Sequence, residues 1–143
     1  MVELQQRLEY IKKNLAHLNN LTNQNTTEKI LQDYTLLTSA LYTIQTSIQA
    51  LIDISLRFLA EKGEKPPSTY KEIARRFTEL DILAANEAEL FRKIIGFRNV
   101  LVHQYLGLNF ELLRDILEKK LFFDIYNIAF KIVKRAIEMN IDP

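Results

Sequence analysis

Apolar residues recur along this chain at steps of three and four, the spacing of helices that bury one face. Val2, Leu4, Leu8, Ile11 and Leu15 form a first stripe, which fades at Asn19 and Asn20. The polar run from Thr22 to Thr27 reads as a turn, and Asn25 with Glu28 three residues later reads as a capping box. Ile30, Tyr34, Leu37, Leu41, Ile44, Ile48 and Leu51 then trace one seam, predicting an unbroken helix to about Glu61. Gly63 supplies a stop and Pro66-Pro67 fix the exit. Thr69 with Glu72, and Asn86 with Glu89, repeat the capping-box spacing. The first opens a helix through Tyr70, Ile73 and Phe77, the second a helix through Leu90, Phe91, Ile94 and Ile95. Asn109 is placed to cap a last helix, expected as one element from about 110 to 138. No segment alternates as a strand does. The pattern predicts an all-α, antiparallel bundle of about five helices in one domain, 1–143.

Composition narrows the chemistry. The chain has 143 residues, 48% of them hydrophobic, enough for a real core. Cysteine is absent, which removes disulfides, thiol nucleophiles and thiolate metal sites. Only two histidines occur, far apart, so no metal and no cofactor is expected. The net charge is +1, and basic and acidic residues balance within each third of the chain. Any nucleic-acid site must therefore be built locally, by folding or by pairing two copies. The N-terminus lacks the apolar core of a signal peptide, and no apolar run approaches a membrane span, so a cytoplasmic protein without membrane contact is expected.

One stretch concentrates reactive groups: Arg98-Asn99-Val100-Leu101-Val102-His103-Gln104-Tyr105, at the end of the fourth expected helix. Asn99 and His103 are four apart and share a helical face. Arg98 and His103 are five apart, about 140° around an ideal helix, so they converge only where the helix ends or where a second copy completes the site. Cleavage of RNA by its own 2′-hydroxyl needs a base, an acid and a counter-charge for the phosphorane. Histidine titrates near neutrality and can serve as base or acid, and arginine is a permanent planar cation matched to phosphate. One copy carries a single imidazole here; two copies across an axis would supply base and acid together.

Elsewhere the residues leave two readings each. Asp53 either orients Arg98 or His103 or pairs with Arg57 four residues on. Gly96 either admits a close neighbour or eases packing. By spacing alone Tyr105 reads as a tyrosine at the edge of the core. Arg75-Arg76, Arg92-Lys93 and Lys131-Lys134-Arg135 are solvated faces unless a dimer gathers them into a groove. His17 has no partner motif.

The stretch RNVLVHQY resembles the R-N-x-L-V-H-x-Y signature of the HepT group of HEPN-domain proteins. Residues 48–54 resemble the family's second-helix pattern, and Pro67-Ser68-Thr69-Tyr70-Lys71-Glu72 its P-x-x-Y-x-E turn. The resemblance implies a HEPN-like homodimer acting as a metal-independent endoribonuclease toxin of a type VII-like toxin–antitoxin pair. Its substrate would be mRNA or tRNA, and its composite site would lie at the dimer interface. Arg98 and His103 would be the catalytic pair, with Asn99 supporting them and Asp53 on the cleft wall. Tyr105 would be the residue adenylylated by a partner minimal nucleotidyltransferase, the antitoxin. The alternative is a non-catalytic helical module that binds nucleotide or docks that nucleotidyltransferase.

Overall fold

In the computed structural model, residues 3–103 and 108–141 are described, with His103 described for its backbone alone. Seven α-helices and no strand occur among the described residues: α1 (Glu3–Gln24), α2 (Thr27–Gln32), α3 (Tyr34–Glu61), α4 (Tyr70–Glu79), α5 (Ala85–His103), α6 (Phe110–Glu118) and α7 (Phe123–Glu138). The all-α expectation holds, with two of the expected helices each divided in two.

The first division falls at Asp33. Its backbone N–H closes α2 on the Lys29 carbonyl, while its carboxylate accepts from the Leu36 N–H and opens α3. One residue thus satisfies orphan groups of both helices. Tyr34, expected in the apolar seam, is instead exposed, and the seam resumes through half-buried Leu37 to buried Leu41. Thr26, not Asn25, caps α2, its hydroxyl accepting from the Lys29 N–H at 3.1 Å. Asn25 instead finishes α1, donating from its amide and its backbone to the Leu21 carbonyl, so α1 runs on through the stretch expected to turn.

The second division falls between Glu118 and Phe123, where Lys120 adopts φ 54°. It changes register, burying Leu117 and Phe122 while Leu121 stays exposed. It also lets α6 pack on α2 while α7 packs on α1 and α3. Gly63 ends α3 at φ 81°, with the Glu64 N–H returning to the Leu59 carbonyl, and Asn109 caps α6 through the N–H groups of Glu111 and Leu112. The other two expected boxes form differently. Thr69 makes no side-chain cap, and Glu72 reaches back to the Ser68 N–H; Glu87, not Glu89, accepts from the Ala84 N–H and opens α5.

α3 is the central element, with α1, α2, α4, α5 and α7 all packed against it. Its buried Thr43, Ser47 and Ser55 hydroxyls donate to carbonyls four residues back, so polar groups enter the core already satisfied. Contacts from α1 run in reverse order along α3: Arg7 to Asp53, Asn14 to Thr46 and Ser47, His17 to Ser39. The pair is therefore antiparallel. Phe58 of α3, Phe77 of α4 and Phe91 of α5 form a buried aromatic column, with centroids 5.5 and 6.5 Å apart. That column fixes the three helices that meet at Arg98.

Candidate functional site

Arg98 is half-buried near the C-terminal end of α5, and three helices supply what holds it. Its Nη2 donates to the Gln49 side-chain oxygen on α3 at 2.9 Å, and its Nη1 makes a long 3.4 Å contact to the Asn99 side-chain oxygen. The guanidinium carbon lies 5.2 Å from the centre of the Tyr70 ring, at the start of α4, a cation–π distance. Its Nε is buried with no acceptor among the described residues. One N–H on each terminal nitrogen is left unclaimed by the described residues.

Every one of these holders is electrically neutral. The other seven arginines of the chain each reach a carboxylate: Arg7 to Glu3 and Asp53, Arg57 to Glu3 and Glu61, Arg75 to Glu72 and Glu79, Arg76 to Glu64 and Glu72, Arg92 to Glu89, Arg114 to Glu28, and Arg135 to Glu138. Among the described residues no carboxylate pairs with Arg98. Its charge is positioned without being cancelled, the arrangement an incoming oxyanion requires.

Gln49 links this guanidinium to a wider network. Its Nε2 donates to Asp53 Oδ1 at 3.0 Å, and Asp53 Oδ2 accepts from Arg7 Nη1 at 3.3 Å. Only one amide orientation serves both neighbours, because a flip would turn an NH2 toward the guanidinium. Asp53 therefore reaches Arg98 through Gln49. The expected alternative, an Asp53–Arg57 pair, gives way to Arg7, because Arg57 turns to Glu3 at 2.8 Å and to Glu61. Along α1 and α3 these groups line an open cleft of about 650 Å³.

The remaining expectations divide. Asn99 is half-buried beside Arg98. The His103 position closes α5, helical from Arg98 onward, and Tyr105 lies outside the described residues. Gly96 faces the end of the Lys71 side chain, 3.7 Å from where a Cβ would stand, an ordinary contact that does not demand glycine. His17 touches Ser39 at 3.2 Å. Within the expected basic groups, Arg75, Arg76, Arg92, Lys131 and Arg135 each pair with an acid, Lys131 with Glu87. That pair and the Ala84 N–H hold the Glu87 carboxyl below its ordinary value. The Ser68 N–H, together with Arg75 and Arg76, does the same for Glu72. Gln49 and Tyr70 lie inside the resemblance motifs without being among the residues expected at the site. A polar pair four apart, Gln49 and Asp53, on an otherwise apolar helix was the signal available.

Known proteins match this chain along most of its length. Residues 11–140 match the family described as Ribonuclease HepT-like. A relative from Archaeoglobus fulgidus, named "Putative RNase", is 28% identical over 110 residues, covering 77% of this chain and 81% of that protein. The fold is also that of a tri-AMPylated Shewanella oneidensis HEPN toxin in complex with MNT antitoxin, at a TM-score of 0.80 and 19% identity over 92% of this chain and 96% of that one. The cytosolic protein YutE from Bacillus subtilis is similar at a TM-score of 0.73 and 18% identity, covering 99% and 95% of the two chains. With its helical bundle and its family match extending through the Arg98 segment, the chain belongs to the HepT-like ribonuclease family.

Proposed function

We propose that this chain is a metal-independent endoribonuclease toxin whose site is completed by a second copy of itself. The observation that carries the reading is the neutral cradle of Arg98, which presents a full guanidinium charge to a phosphodiester. α5 is helical from position 98 to 103, which sets those two positions about 140° apart on one helix. A dimer axis near the end of α5 lets Arg98 and His103 of two copies face one phosphate. One imidazole removes the proton of the 2′-hydroxyl, and the oxygen attacks the adjacent phosphorus. A second imidazole, protonated, gives its proton to the departing 5′-oxygen. The products are a 2′,3′-cyclic phosphate and a 5′-hydroxyl, with no net change in protons. Asn99 and Asp53 support the pair, Asp53 by way of Gln49.

Regulation follows from the same segment. A partner nucleotidyltransferase would move AMP from ATP to the Tyr105 phenol oxygen, releasing pyrophosphate and adding a phosphodiester charge two residues along the chain from His103. The likeness to an AMPylated HEPN toxin bound to its MNT antitoxin supports this. The deciding experiment incubates purified protein with RNA in EDTA and identifies the product ends. Cyclic phosphate ends, lost in His103→Ala and Arg98→Ala variants of unchanged melting temperature, sustain the proposal. Cutting that needs added metal overturns the metal-independent mechanism, and RNA and nucleotidyltransferase binding without cutting overturns the proposal in favour of a docking module. Mass spectrometry after coexpression with the nucleotidyltransferase tests Tyr105 separately.

A further inference from the structure

We infer that the cleft between α1 and α3 is a nucleobase subsite, holding the base next to the phosphate that Arg98 engages, with Tyr10 as its stacking platform and Asp53 as its reader. The inference rests on the endoribonuclease reading for the identity of its ligand. The cleft encloses about 650 Å³, in the range of pockets that take small organic ligands. α1 contributes Glu3, Arg7 and Tyr10, spaced so that they share a face, and α3 contributes Thr46, Gln49 and Asp53 opposite them. Ala50 lies on the floor between them, where its short side chain leaves space.

The chemistry of this lining favours a base over a phosphate. Glu3 and Asp53 are two carboxylates against the single guanidinium of Arg7, with Arg57 bound to Glu3 from outside the cleft. A phosphate would meet two anions there, whereas a neutral heterocycle meets fixed dipoles and a ring. Tyr10 is 45% exposed, an aromatic side chain kept in solvent along the cleft. Bases stack on such rings. Thr46 is occupied, donating to the Tyr42 carbonyl and accepting from Asn14. Asp53 accepts one bond on each oxygen, from Gln49 and from Arg7, and each oxygen keeps a second lone pair. A carboxylate so placed accepts from an exocyclic amino group, as it does from the cytosine N4 amine. Uracil offers a carbonyl at that position. The cleft adjoins the phosphate site because Gln49 belongs to both: one end of its amide holds Arg98 and the other holds Asp53.

The test measures binding of fluorescent short oligodeoxynucleotides by anisotropy at fixed salt. Without a 2′-hydroxyl they cannot be cut by the proposed reaction. Wild type is expected to bind oligo(dC) roughly tenfold more tightly than oligo(dU). Tyr10→Ala should weaken oligo(dC) binding by about tenfold, and Tyr10→Phe, which keeps the ring, should restore it. Asp53→Asn should erase the preference for cytosine over uracil, a ratio that a merely structural role would leave alone. Tyr34→Ala, which removes an exposed tyrosine outside the cleft, should bind as wild type does. Melting temperatures verify that each variant is folded. Binding unchanged by Tyr10→Ala, or equal affinity for the two oligomers in wild type, overturns the subsite even where the protein cuts RNA. Binding with this pattern in a protein that cuts no RNA leaves the subsite standing and removes the nuclease instead.

Discussion

Arg75 and Arg98 are the same side chain on helices that pack against each other, yet their surroundings are opposite. On α4, Arg75 lies between Glu72 and Glu79, its side chain 54% exposed, its charge shared with two carboxylates in water. On α5, Arg98 is half-buried against an amide, a second amide and a phenol ring. The first arrangement recurs along the helix surfaces and stabilises by tenths of a kcal/mol. The second leaves a cation partly out of water with no counter-ion among the described residues, which costs stability unless something else gains from it. A charge that folding positions but does not neutralise is best explained by a ligand that will neutralise it.

The comparison is broken most severely by removing the held charge. Arg98→Ala is expected to lower RNA cleavage by on the order of a thousandfold, the scale of losing a catalytic arginine at phosphorus. The same variant should fold normally, because the lost contacts are one amide bond, a longer one and a ring contact. Cleavage within tenfold of wild type would dismiss Arg98 from the chemistry.

A subtler change converts one setting into the other. Gln49→Glu replaces the neutral holder of Arg98 with a carboxylate of nearly the same shape, giving Arg98 the kind of partner Arg75 already has, while losing the bond to Asp53 and setting a second carboxylate beside it. Cleavage should fall by about ten- to a hundredfold, as expected when a charge at phosphate is compensated in advance. Gln49→Met removes both hydrogen bonds of the side-chain amide without adding charge, so it isolates loss of positioning from loss of field. Equal kcat for the two variants would mean that orientation matters and neutrality does not.

How far the chain disclosed this beforehand depends on range. The RNVLVHQY segment is contiguous, so its resemblance, its helix and its polar cluster were all visible along the sequence. The holders of Arg98 were not, because Gln49 lies 49 residues away and Tyr70 starts a different helix. Whether two helix faces meet depends on rotation about each axis, which periodicity gives only to the width of an apolar stripe. The helix breaks at Asp33 and around Lys120 were hidden for a related reason. An apolar seam of fours and threes continues through both, while the partner that changes across the second break is a tertiary fact. For Asp53 the sequence offers Arg98, His103 or Arg57, whereas its ion-pair partner is Arg7 on α1.

Away from the site, the pair of Glu87 with Lys131 tests how ordinary charges behave in this fold. Hydrogen bonding to Lys131, and then to the Ala84 N–H, lowers the folded-state carboxyl below its ordinary value. For a depressed acid the stabilisation is complete above the unfolded value of about 4.3 and is lost as pH falls through the folded one. Glu87→Gln keeps an oxygen for the Ala84 N–H but loses the charge, and should cost about 0.5 kcal/mol at neutral pH, with both side chains partly solvated. Denaturant midpoints of variant and wild type should converge as pH drops below the carboxylate range. A gap that persists there would locate the effect in packing.

The smallest effect belongs to Arg75, the arginine paired on the surface. Arg75→Ala is expected to change stability by no more than about 0.5 kcal/mol and to leave cleavage unaltered. Glu72, which loses a partner, keeps the Ser68 N–H and Arg76, so no carboxylate is stranded. Glu79 is 56% exposed and returns to water. The measurement is a near-zero with consequences. Were Arg75→Ala to weaken RNA binding, by reducing its salt dependence as loss of a phosphate contact does, paired arginines would count as available charge, and the neutrality of the Arg98 cradle would no longer set that site apart.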